Sequence, residues 1–569
     1  MSKEYSTKLG ALALSLMLGV MAYGQATADA TIVIVNLDGP GEGFNDPTPT
    51  TAVGGNTGKT LGEQRLIAFQ RAADIWGETL DSNVVIRIQA AFNPLGPGIL
   101  GSAGAISASR DFSGIGQHPG AEFPATWYGA ALANKRAGVD LDPAGNDINA
   151  QFSSNFNFYL GLNNQHGANP DLLVVLLHEF AHGLNFQTFY DRTTGVSFGG
   201  VQFTDIYARY LFDRTFGLTW PDMKKKDVAA SAINFGNLVW SGDTVTEAVP
   251  DVLDFGSPQV DVLSPPAIAR TYQFGTAAFG PSVGSPNVTD PVVAAQDAAN
   301  TAGPATTDGC TAFTNVPAIA GNIALIERGT CGFALKARNA TNAGASAVII
   351  YNNVANAAGA PPGMADDGIN GAFVTIPAVS LTRADGLAIV GELANGVTAR
   401  LIVDPNVRAG ADPEGRARLY APNPLVGGSS VSHYDSVASR NLLMEPSINP
   451  DLTHDVSAPH DLTHELFLDI GWFPDSDLDG VANDLDSQAN SDFTPRIAFG
   501  GIDTGVPSQL LDGGSTMSDL IADVAAAAQN DRQFVDAVTR LAEGWRKEGR
   551  ITQAQKDAIV SAAAGSKTQ

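Results

Sequence analysis

An apolar run that contains two histidines and a glutamate constrains this chain more than any other segment. Residues 172–183 read L-L-V-V-L-L-H-E-F-A-H-G, which places His178 and His182 four positions apart. Residues at i and i+4 lie on one face of an α-helix, so the two imidazoles can bind one metal ion. Glu179 then lies beside that ion, where it can take a proton from a water molecule. The pattern predicts a zinc-dependent hydrolase with a buried metal-binding helix.

A simpler interpretation of residues 172–183 is a core helix whose two histidines are only hydrogen bonded. Burying two imidazoles and a carboxylate among apolar side chains is costly unless a partner compensates them, so we favour the metal site. Asn169, Pro170 and Asp171 precede the run and predict where the helix begins. Asn169 suits the N-cap, Pro170 the first helical position, and Asp171 the positive end of the helix dipole.

The residues that precede the histidine run predict strands and helices around it. Thr31–Leu37 and Val84–Gln89 are rich in β-branched residues and read as strands. Between them, Thr60 and Glu63 form a capping box that predicts a long amphipathic helix. Residues 147–152 alternate polar and apolar side chains, which predicts a strand at the sheet edge beside a cleft.

A zinc site of this type needs a third protein ligand, which the compact motif does not supply here. In many metzincin peptidases a turn glycine and a third histidine follow the second histidine, at the positions of Asn185 and Thr188. Asn185 can adopt a left-handed turn conformation, but the hydroxyl of Thr188 cannot replace an imidazole. His433, far downstream, is the favoured candidate. The alternatives are Asp205 and the histidines His454, His460 and His464.

Residues 427–472 carry further motifs in a specific order. S-H-Y-D occupies Ser432–Asp435, L-M-E-P occupies Leu443–Pro446, and D-I-G-W occupies Asp469–Trp472. Together with the H-E-x-x-H run, this order resembles the leishmanolysin-type zinc peptidases, which are metzincins. In that family the third histidine lies far downstream, after an insertion, and precedes a turn that contains a buried methionine.

This resemblance implies a role for each residue of the site. It assigns His178, His182 and His433 to a zinc ion and makes Glu179 the general base. Met444, 11 residues after His433, would lie in the turn and pack beneath the metal without binding it. The implied fold class is α+β, a metzincin-like zinc peptidase domain split by an inserted domain.

The first 30 residues have the features of a secretory signal peptide. Two lysines precede an apolar stretch, Leu9–Ala22, and small residues suit cleavage near Asp29 or Thr31. We therefore expect a secreted protein, extracellular or periplasmic. No later stretch is long and apolar enough to span a membrane. A net charge of −26 disfavours nucleic acid and anionic membranes as partners.

Residues 254–405 differ from the sequence on either side and are rich in Ala, Val, Gly and Asn. R-G-x-C-x-F from Arg328, then A-G-A, then I-P-A-V-S from Ile376 resemble the protease-associated (PA) domain. The resemblance implies a small β-rich domain with flanking helices that binds or restricts substrate and catalyses nothing itself; a simple spacer is the alternative. The two cysteines of the chain, Cys310 and Cys331, predict one disulfide in an exported protein.

An acidic segment after the last motif has the spacing of a calcium-binding loop, with Gly480 at its sixth position. No EF-hand helix enters it, because Trp472–Pro474 ends the preceding helix, so it resembles the Asp-rich calcium loops of secreted bacterial proteins. An acidic, solvated linker is the alternative. The expected ligands are Asp475, Asp477, Asp479, Val481, Asn483 and Asp486.

The remaining residues, 494–569, predict a linker and a small helical appendage whose last helix is capped at Thr552. The expected organisation is a signal peptide (1–30), a metallopeptidase domain in two parts (31–253 and 406–473), a PA insertion (254–405), a calcium loop (474–493) and this tail.

These motifs predict a secreted zinc endopeptidase that hydrolyses protein or peptide substrates, with Glu179 activating the water. One alternative is a catalytically inactive, peptidase-like binding protein that uses the PA domain for recognition, an interpretation that Asn185 and Thr188 favour. Another is a zinc hydrolase of a different bond, such as an ester, because the motif specifies water activation rather than the bond cleaved. Zinc and calcium are the expected cofactors.

Overall fold

The structure is a computed structural model that describes residues 30–115, 118–301, 303–354, 361–473, 494, 496–509, 511 and 515–566. The predicted signal peptide lies outside these ranges except for Ala30. The predicted calcium loop lies wholly outside them, so its ligands stay a prediction. None of the helices in the described ranges is long and apolar enough to cross a membrane.

The chain before residue 254 is a mixed α/β structure built around helix α3, which carries H-E-x-x-H. Its strands are β1 (Ile32–Asn36), β2 (Ile86–Asn93), β3 (Gly101–Ala105), β4 (Ala108–Ser109), β5 (Thr126–Gly129), β6 (Ile148–Ser153), β7 (Tyr190–Asp191), β8 (Val196–Ser197), β9 (Thr204–Asp205), β10 (Leu211–Asp213), β11 (Leu218–Thr219) and β12 (Leu238–Trp240). Its helices are α1 (Leu61–Thr79), α2 (Ala130–Ala137), α3 (Leu172–Gly183), α4 (Ile206–Arg209), α5 (Lys225–Ser231) and α6 (Asp243–Val252). The main sheet has the order β1-β2-β6-β3, in which β3 is an antiparallel edge and the other three strands are parallel.

Apart from His178, Glu179 and His182, the residues of helix α3 are apolar or glycine, and the fold buries all 12 of its residues. Helix α1, which begins at the predicted capping box, covers one side. The rings of Phe69 and Phe180 pack with centroids 4.6 Å apart, and Trp76 Nε1 donates to the Leu177 carbonyl at 3.1 Å. Strands β3 and β6 cover the other side. A helix that is hydrophobic all round requires such burial between two layers.

The start of α3 differs from the prediction. Asp171, not Asn169, is the N-cap, and its carboxylate accepts a hydrogen bond from Leu173 N–H at 2.9 Å. Pro170 lies outside the helix because its carbonyl accepts from Tyr159 N–H at 2.8 Å. A tertiary contact therefore determines where α3 begins, and local capping preferences alone predict the wrong residue.

The predicted position of the sheet edge is wrong. Residues 148–153 form β6, which lies between β2 and β3, and the edge strand is β3. The sequence of β3, G-S-A-G-A, has a low intrinsic preference for strands, so sequence patterns do not reveal it. Its pairing with β6, in which Ala103 lies opposite Ala150, determines its conformation.

Residues 255–408 form the inserted domain, which is built on a sheet of eight strands. Its strands are β13 (Phe255–Ser264), β14 (Arg270–Thr271), β15 (Gly275–Thr276), β16 (Val288–Ala294), β17 (Ile323–Glu327), β18 (Ala347–Tyr351), β19 (Ala378–Leu381) and β20 (Thr398–Arg408), and its helices are α7 (Val316–Ile319), α8 (Phe333–Asn342) and α9 (Arg383–Glu392). The order is β14-β13-β20-β16-β17-β18-β19-β15. Phe255 pairs with Arg408, so the chain enters and leaves this domain side by side. The predicted disulfide between Cys310 and Cys331 is present.

Residues 409–473 return to the first part of the chain and complete its hydrophobic core; residues 30–253 and 409–473 are called the histidine domain below. Helix α10 (Thr463–Asp469) ends in the D-I-G-W motif. Asp469 accepts from Trp240 Nε1 at 2.7 Å, and Trp472 Nε1 donates to the Leu184 carbonyl at 2.9 Å. The motif thus joins the downstream segment to both α3 and β12.

The tail has a hydrophobic core of its own. Its strands are β21 (Arg496–Phe499) and β22 (Ile502–Pro507), and its helices are α11 (Met517–Ala527), α12 (Asp531–Lys547) and α13 (Gln553–Gly565). The predicted cap of the last helix is confirmed, since Thr552 and Gln555 cap each other. The hairpin was not expected, although Gly500 and Gly501 between its strands are a recognisable two-residue turn signal.

Candidate metal centre

Three imidazoles from distant parts of the histidine domain meet at the end of α3. His182 Nε2 lies 3.2 Å and His433 Nε2 lies 3.3 Å from His178 Nε2. All three side chains are buried. Among the described residues, this is the one group of three or more His, Cys, Asp or Glu side chains whose ligand atoms lie close enough to hold a metal ion, all within 4.8 Å.

Backbone carbonyls hold the other nitrogen of each imidazole. His178 Nδ1 donates to the Leu443 carbonyl at 2.7 Å, and His433 Nδ1 donates to the Ser429 carbonyl at 2.8 Å. His182 Nδ1 donates in the same way to the Phe186 carbonyl at 2.9 Å. A carbonyl only accepts, so each Nδ1 carries the proton and each Nε2 presents a lone pair.

The three imidazoles are neutral around pH 7. Burial lowers the pKa of His178 to about 4, and burial together with the His178 imidazole lowers the pKa of His182 to about 3. Burial, followed by the other two imidazoles, also holds the pKa of His433 well below its usual value. No proton is therefore available between the facing Nε2 atoms, and their lone pairs need a cation.

The spacing of these nitrogens fits zinc. Two nitrogens bound tetrahedrally to Zn²⁺ at about 2.05 Å lie about 3.3 Å apart. The distances from His178 Nε2 are 3.2 Å to His182 and 3.3 Å to His433. Three neutral imidazoles whose Nδ1–H groups are held by carbonyls are the donor set of a zinc site that leaves a fourth position open.

Glu179 lies buried beside the three imidazoles. Burial raises the pKa of its carboxyl to about 8, although a hydrogen bond from Ala103 N–H acts in the opposite direction and lowers this pKa. Strand β3 approaches this carboxylate closely: a Cβ on Gly101 would lie 2.8 Å from Glu179 Cγ and Oε1. Gly101 was missed by the sequence analysis, and its role is steric, because only glycine leaves room for the carboxylate.

The turn after α3 follows the prediction made for Asn185. Its φ is 95°, and its side-chain Oδ1 accepts from Gly129 N–H at 2.6 Å. Thr188 is turned to another partner, and its hydroxyl donates to Asp205 Oδ2 at 2.9 Å. Asp205 also accepts from Ala208 N–H at 2.7 Å and so caps α4. Asp205 does not belong to the group of side chains that could hold a metal, so it is not the third ligand in this arrangement.

The other candidate histidines lie outside the cluster. His454 Nε2 lies 3.1 Å from Asp171 Oδ2 at the start of α3, and His464 lies next to the Glu465 carboxylate. His460 contacts the Arg440 guanidinium at 2.5 Å. None of the three belongs to the group of side chains that could hold a metal.

Met444 is fully buried in the core that surrounds α3. The residue before it, Leu443, provides the carbonyl that holds His178. The carboxylate of Asp461 stabilises the turn at Leu443 and Met444, because it accepts a hydrogen bond from Leu443 N–H at 2.6 Å. Sequence analysis placed Met444 in a turn below the site but assigned no role to Asp461.

Arg192 is a further residue near the site that sequence patterns do not reveal. Its guanidinium donates to the Ser430 carbonyl at 2.5 Å, one residue after the carbonyl that holds His433. After burial and the neighbouring imidazoles, its positive charge is a further cause that lowers the pKa of His182 and of His433. Arg192 therefore supports the loop of the third imidazole and helps to keep the cluster unprotonated.

Comparison with known proteins identifies part of the insertion between His182 and His433. Residues 288–389 match the PA domain family. This segment is a PA domain. The match lies inside the range 254–405 that the sequence analysis gave to a PA insertion and includes β16 to β19.

The curated relatives match short parts of the chain. Probable leucine aminopeptidase 2 of Aspergillus fumigatus is 32% identical over 183 residues, which are 32% of this chain and 32% of the relative. ER degradation-enhancing alpha-mannosidase-like protein 3 of Homo sapiens is 35% identical over 135 residues, 23% of this chain and 14% of the relative. An aminopeptidase of Pseudomonas aeruginosa is 58% identical over 53 residues, which are 9% of this chain and 10% of the relative. The chain spans about a third or less of the length of these relatives.

Two solved structures are aminopeptidases by name. The aminopeptidase from Aneurinibacillus sp. strain AM-1 has a TM-score of 0.20 and 24% identity, and the match covers 27% of this chain and 31% of that one. BSAP, a zinc aminopeptidase from Bacillus subtilis, has a TM-score of 0.19 and 23% identity, and the match covers 28% of this chain and 36% of that one. None of the relatives and structures described here is named as a leishmanolysin-type peptidase.

Proposed function

We propose that the protein is a secreted zinc-dependent endopeptidase whose metal ligands are His178, His182 and His433. One observation carries the proposal: three neutral imidazoles direct unprotonated Nε2 atoms at one point, within 4.8 Å of one another. The leishmanolysin-type, metzincin-like assignment rests on the order of the motifs and on buried Met444 in the turn that holds His178. Export rests on the features of residues 1–30, and a structural calcium ion on the spacing of residues 475–486.

The proposed reaction is the hydrolysis of a peptide bond by water. A zinc ion at this position would polarise the peptide carbonyl and lower the pKa of a water molecule. Glu179 accepts the proton from the attacking water and delivers it to the nitrogen of the leaving amine. Burial disfavours the charged carboxylate, so Glu179 takes up a proton from water more readily than an exposed glutamate does. Ala103 N–H keeps the carboxylate in place between these steps.

Strand β3 supports an endopeptidase over an exopeptidase. It is the edge of the main sheet, and no strand of the described residues pairs with its outer side. Its central residue, Ala103, contacts Glu179, so the strand continues past the proposed catalytic base in both directions. An extended chain that pairs with this edge would have residues on both sides of the bond to be cleaved.

The test is zinc content and casein hydrolysis of the purified mature protein, compared with the His433→Ala variant. We expect about one zinc ion per chain in the parent, activity that a chelator removes, and loss of both in the variant. His454→Ala is the matched control, because that histidine lies at the start of α3 and outside the cluster. Full zinc and activity in His433→Ala would contradict the ligand set. A parent that binds no zinc and cleaves no protein would instead favour the inactive binding protein.

An aminopeptidase is the second candidate function, because two of the curated relatives carry that name. The measurement that separates the two is the rate on one peptide with a free and with an acetylated N-terminus. An endopeptidase cleaves both forms at internal bonds, and mass spectrometry then finds two fragments of similar length. An aminopeptidase releases single residues and is inactive on the acetylated form.

A further inference from the structure

A pocket of about 190 Å³ lies within the histidine domain, apart from the metal centre. Its walls come from the hairpin of β7 and β8, from the residues around β9, and from the segment between Trp220 and α5. Neither the three imidazoles nor Glu179 line it. The volume is below the range of drug-sized ligand sites, about 300–1,000 Å³, so the pocket suits a group the size of one amino-acid residue.

The charged side chains that line this pocket are both cations. They are Arg209, at the end of α4, and Lys225, at the start of α5. The partners of Arg209 are neutral, since its Nε donates to Thr126 Oγ1 at 3.0 Å and its guanidinium lies 4.1 Å from the centre of the Phe123 ring. Within the described residues, the two Nη atoms of Arg209 have no hydrogen-bond partner, and neither cation forms an ion pair. The lining thus has the opposite charge to the chain as a whole, whose net charge is −26.

Acidic groups beside the pocket do not compensate this positive charge. Asp205 in β9 is fully buried, does not line the pocket, and accepts hydrogen bonds from three other donors through its two oxygens. Asp222 is exposed and accepts from Thr219 Oγ1 at 2.9 Å. Tyr190 lines the pocket but keeps its proton at neutral pH, because burial raises the pKa of its hydroxyl to about 12. The pocket therefore favours an anion as its ligand.

Apart from the two cations, most side chains of the lining are apolar. Trp220 and Val228 are each 1% exposed and give the pocket an apolar wall, against which the Tyr190 ring packs with its centroid 5.3 Å from that of Trp220. Val201 is 70% exposed and places a further apolar side chain where the pocket meets solvent. A small inorganic anion would leave these surfaces uncovered, so the lining favours an anion that carries an apolar group.

We propose that this pocket binds a carboxylate attached to an apolar group of about one residue's size. The two Nη atoms of Arg209 donate to the carboxylate, and the Lys225 ammonium adds a second positive charge. The apolar group lies against Trp220 and Val228. Two kinds of molecule have this chemistry, a free N-acylated amino acid and the C-terminal residue of a peptide. A supply of such peptide ends by the chain itself rests on the proposed peptidase function; the pocket does not.

The direct test measures the binding of N-acetyl-4-fluoro-L-phenylalanine to the full-length Glu179→Gln protein by fluorine NMR. The matched ligand is the amide of the same compound, which has the same shape and no charge. We expect the carboxylate to bind about tenfold more tightly than the amide, with an affinity that falls as the salt concentration rises. Arg209→Gln and Lys225→Glu should each weaken binding of the carboxylate about fivefold or more. Lys226→Glu is the matched control, because this neighbouring lysine is exposed and does not line the pocket, and it should bind like the parent.

Carboxylates also bind zinc, so the measurement is repeated after phenanthroline has removed the metal, and the affinity should not change. Loss of binding with the metal, equal affinity for carboxylate and amide, or parental affinity in both pocket variants would overturn the proposal. Lys225→Glu keeps the test decisive if Arg209→Gln does not fold, since Lys225 is exposed.

A decapeptide that ends in phenylalanine, with a free or an amidated C-terminus, distinguishes the two sources of the ligand. Binding of the free-ended peptide assigns the pocket to peptide C-termini, whereas binding of the small acid alone assigns it to free acids. Carboxylate binding that depends on Arg209 and Lys225, in a protein that hydrolyses no casein with Glu179 intact, would support the pocket and reject the proposed function. Casein hydrolysis without such binding would do the reverse.

Discussion

The PA domain and the histidine domain differ in how far apart in sequence their defining residues lie. In the PA domain, the disulfide joins Cys310 and Cys331, 21 positions apart, and β16 to β19 are neighbours both in sequence order and in the sheet. In the histidine domain, His178 meets His433 across 255 positions, with the whole insertion between them. The first arrangement leaves continuous motifs that sequence comparison detects, whereas the second leaves one short motif and several scattered residues.

This difference matters for assigning function by similarity. The family match covers residues 288–389, which contain none of the three imidazoles and not the glutamate. The relatives that match parts of this chain have names of different chemistry, aminopeptidase and alpha-mannosidase-like protein. The proposed activity must therefore be argued from the geometry of the metal centre, and the most useful experiments perturb one domain and read out the other.

The largest expected effect comes from Glu179→Gln in the histidine domain. The amide keeps the shape of the side chain but cannot accept a proton from water, so we expect kcat to fall by about 10³-fold or more. Zinc content should be unchanged, because the three imidazoles are intact. The same substitution in the inserted domain, Glu392→Gln, is the control and should leave kcat within twofold. A Glu179→Gln enzyme with full activity would exclude Glu179 as the base.

The disulfide gives the next largest effect and should act on the PA domain alone. Replacing both Cys310 and Cys331 by Ser releases a loop of 21 residues, which should cost the PA domain about 3 kcal/mol of stability. All 6 tryptophans lie outside residues 254–405, so their fluorescence during urea unfolding reports the rest of the chain. Hydrogen exchange of β17 and β18 reports the PA domain. Equal loss of stability by both readouts, or loss of zinc, would contradict independent folding.

Gly101 tests whether the edge strand positions the catalytic base. In Gly101→Ala the new Cβ would lie 2.8 Å from Glu179 Cγ, so the carboxylate must move, and we expect kcat to fall about tenfold to hundredfold with zinc retained. Ser102→Ala is the control, because Ser102 is exposed on the same strand. If both variants kept parental kcat, the close approach of β3 would have no catalytic consequence.

The sequence predicts the structure well where a few neighbouring residues determine the local conformation. The caps at Thr60 and Thr552, the disulfide and the left-handed turn at Asn185 depend on a few neighbouring residues, and all of them are present. Strand β3 was missed because small residues form a strand there only by pairing with β6. The helix start at Asp171 was misplaced for a related reason, a contact with Tyr159.

The metal centre divides in the same way. H-E-x-x-H is local, and His433 could be selected because its flanking motifs stand in a recognisable order. The carbonyls of Leu443 and Ser429 that orient the imidazoles leave no trace in the sequence, because every residue has a carbonyl.

The smallest expected effect is a pH dependence confined to the PA domain. Lys336 is fully buried there, next to the Asp308 carbonyl and 3.5 Å from Cys310 Sγ. Burial lowers the pKa of Lys336 from 10.5 to about 8, although the charges of Asp308, Asp297 and Glu327 oppose the shift. Between these two values the unfolded chain holds a proton that the folded domain has released, so stability rises with pH.

Lys336→Met removes this titration while nearly conserving volume. We expect the free energy of unfolding of the PA domain, followed by hydrogen exchange of β17 and β18, to rise between pH 7.5 and pH 9.5 more steeply in the parent than in the variant. Tryptophan fluorescence should show the same pH dependence in both proteins, because the tryptophans lie outside this domain. Parallel curves for the PA domain would mean that Lys336 keeps its proton in the folded state. The imidazoles of the histidine domain are buried in their neutral form around a candidate cation site, whereas the PA domain buries an ammonium group beside a carbonyl and carboxylates. The Lys336→Met variant measures how much the stability of the PA domain depends on pH through this buried ammonium group.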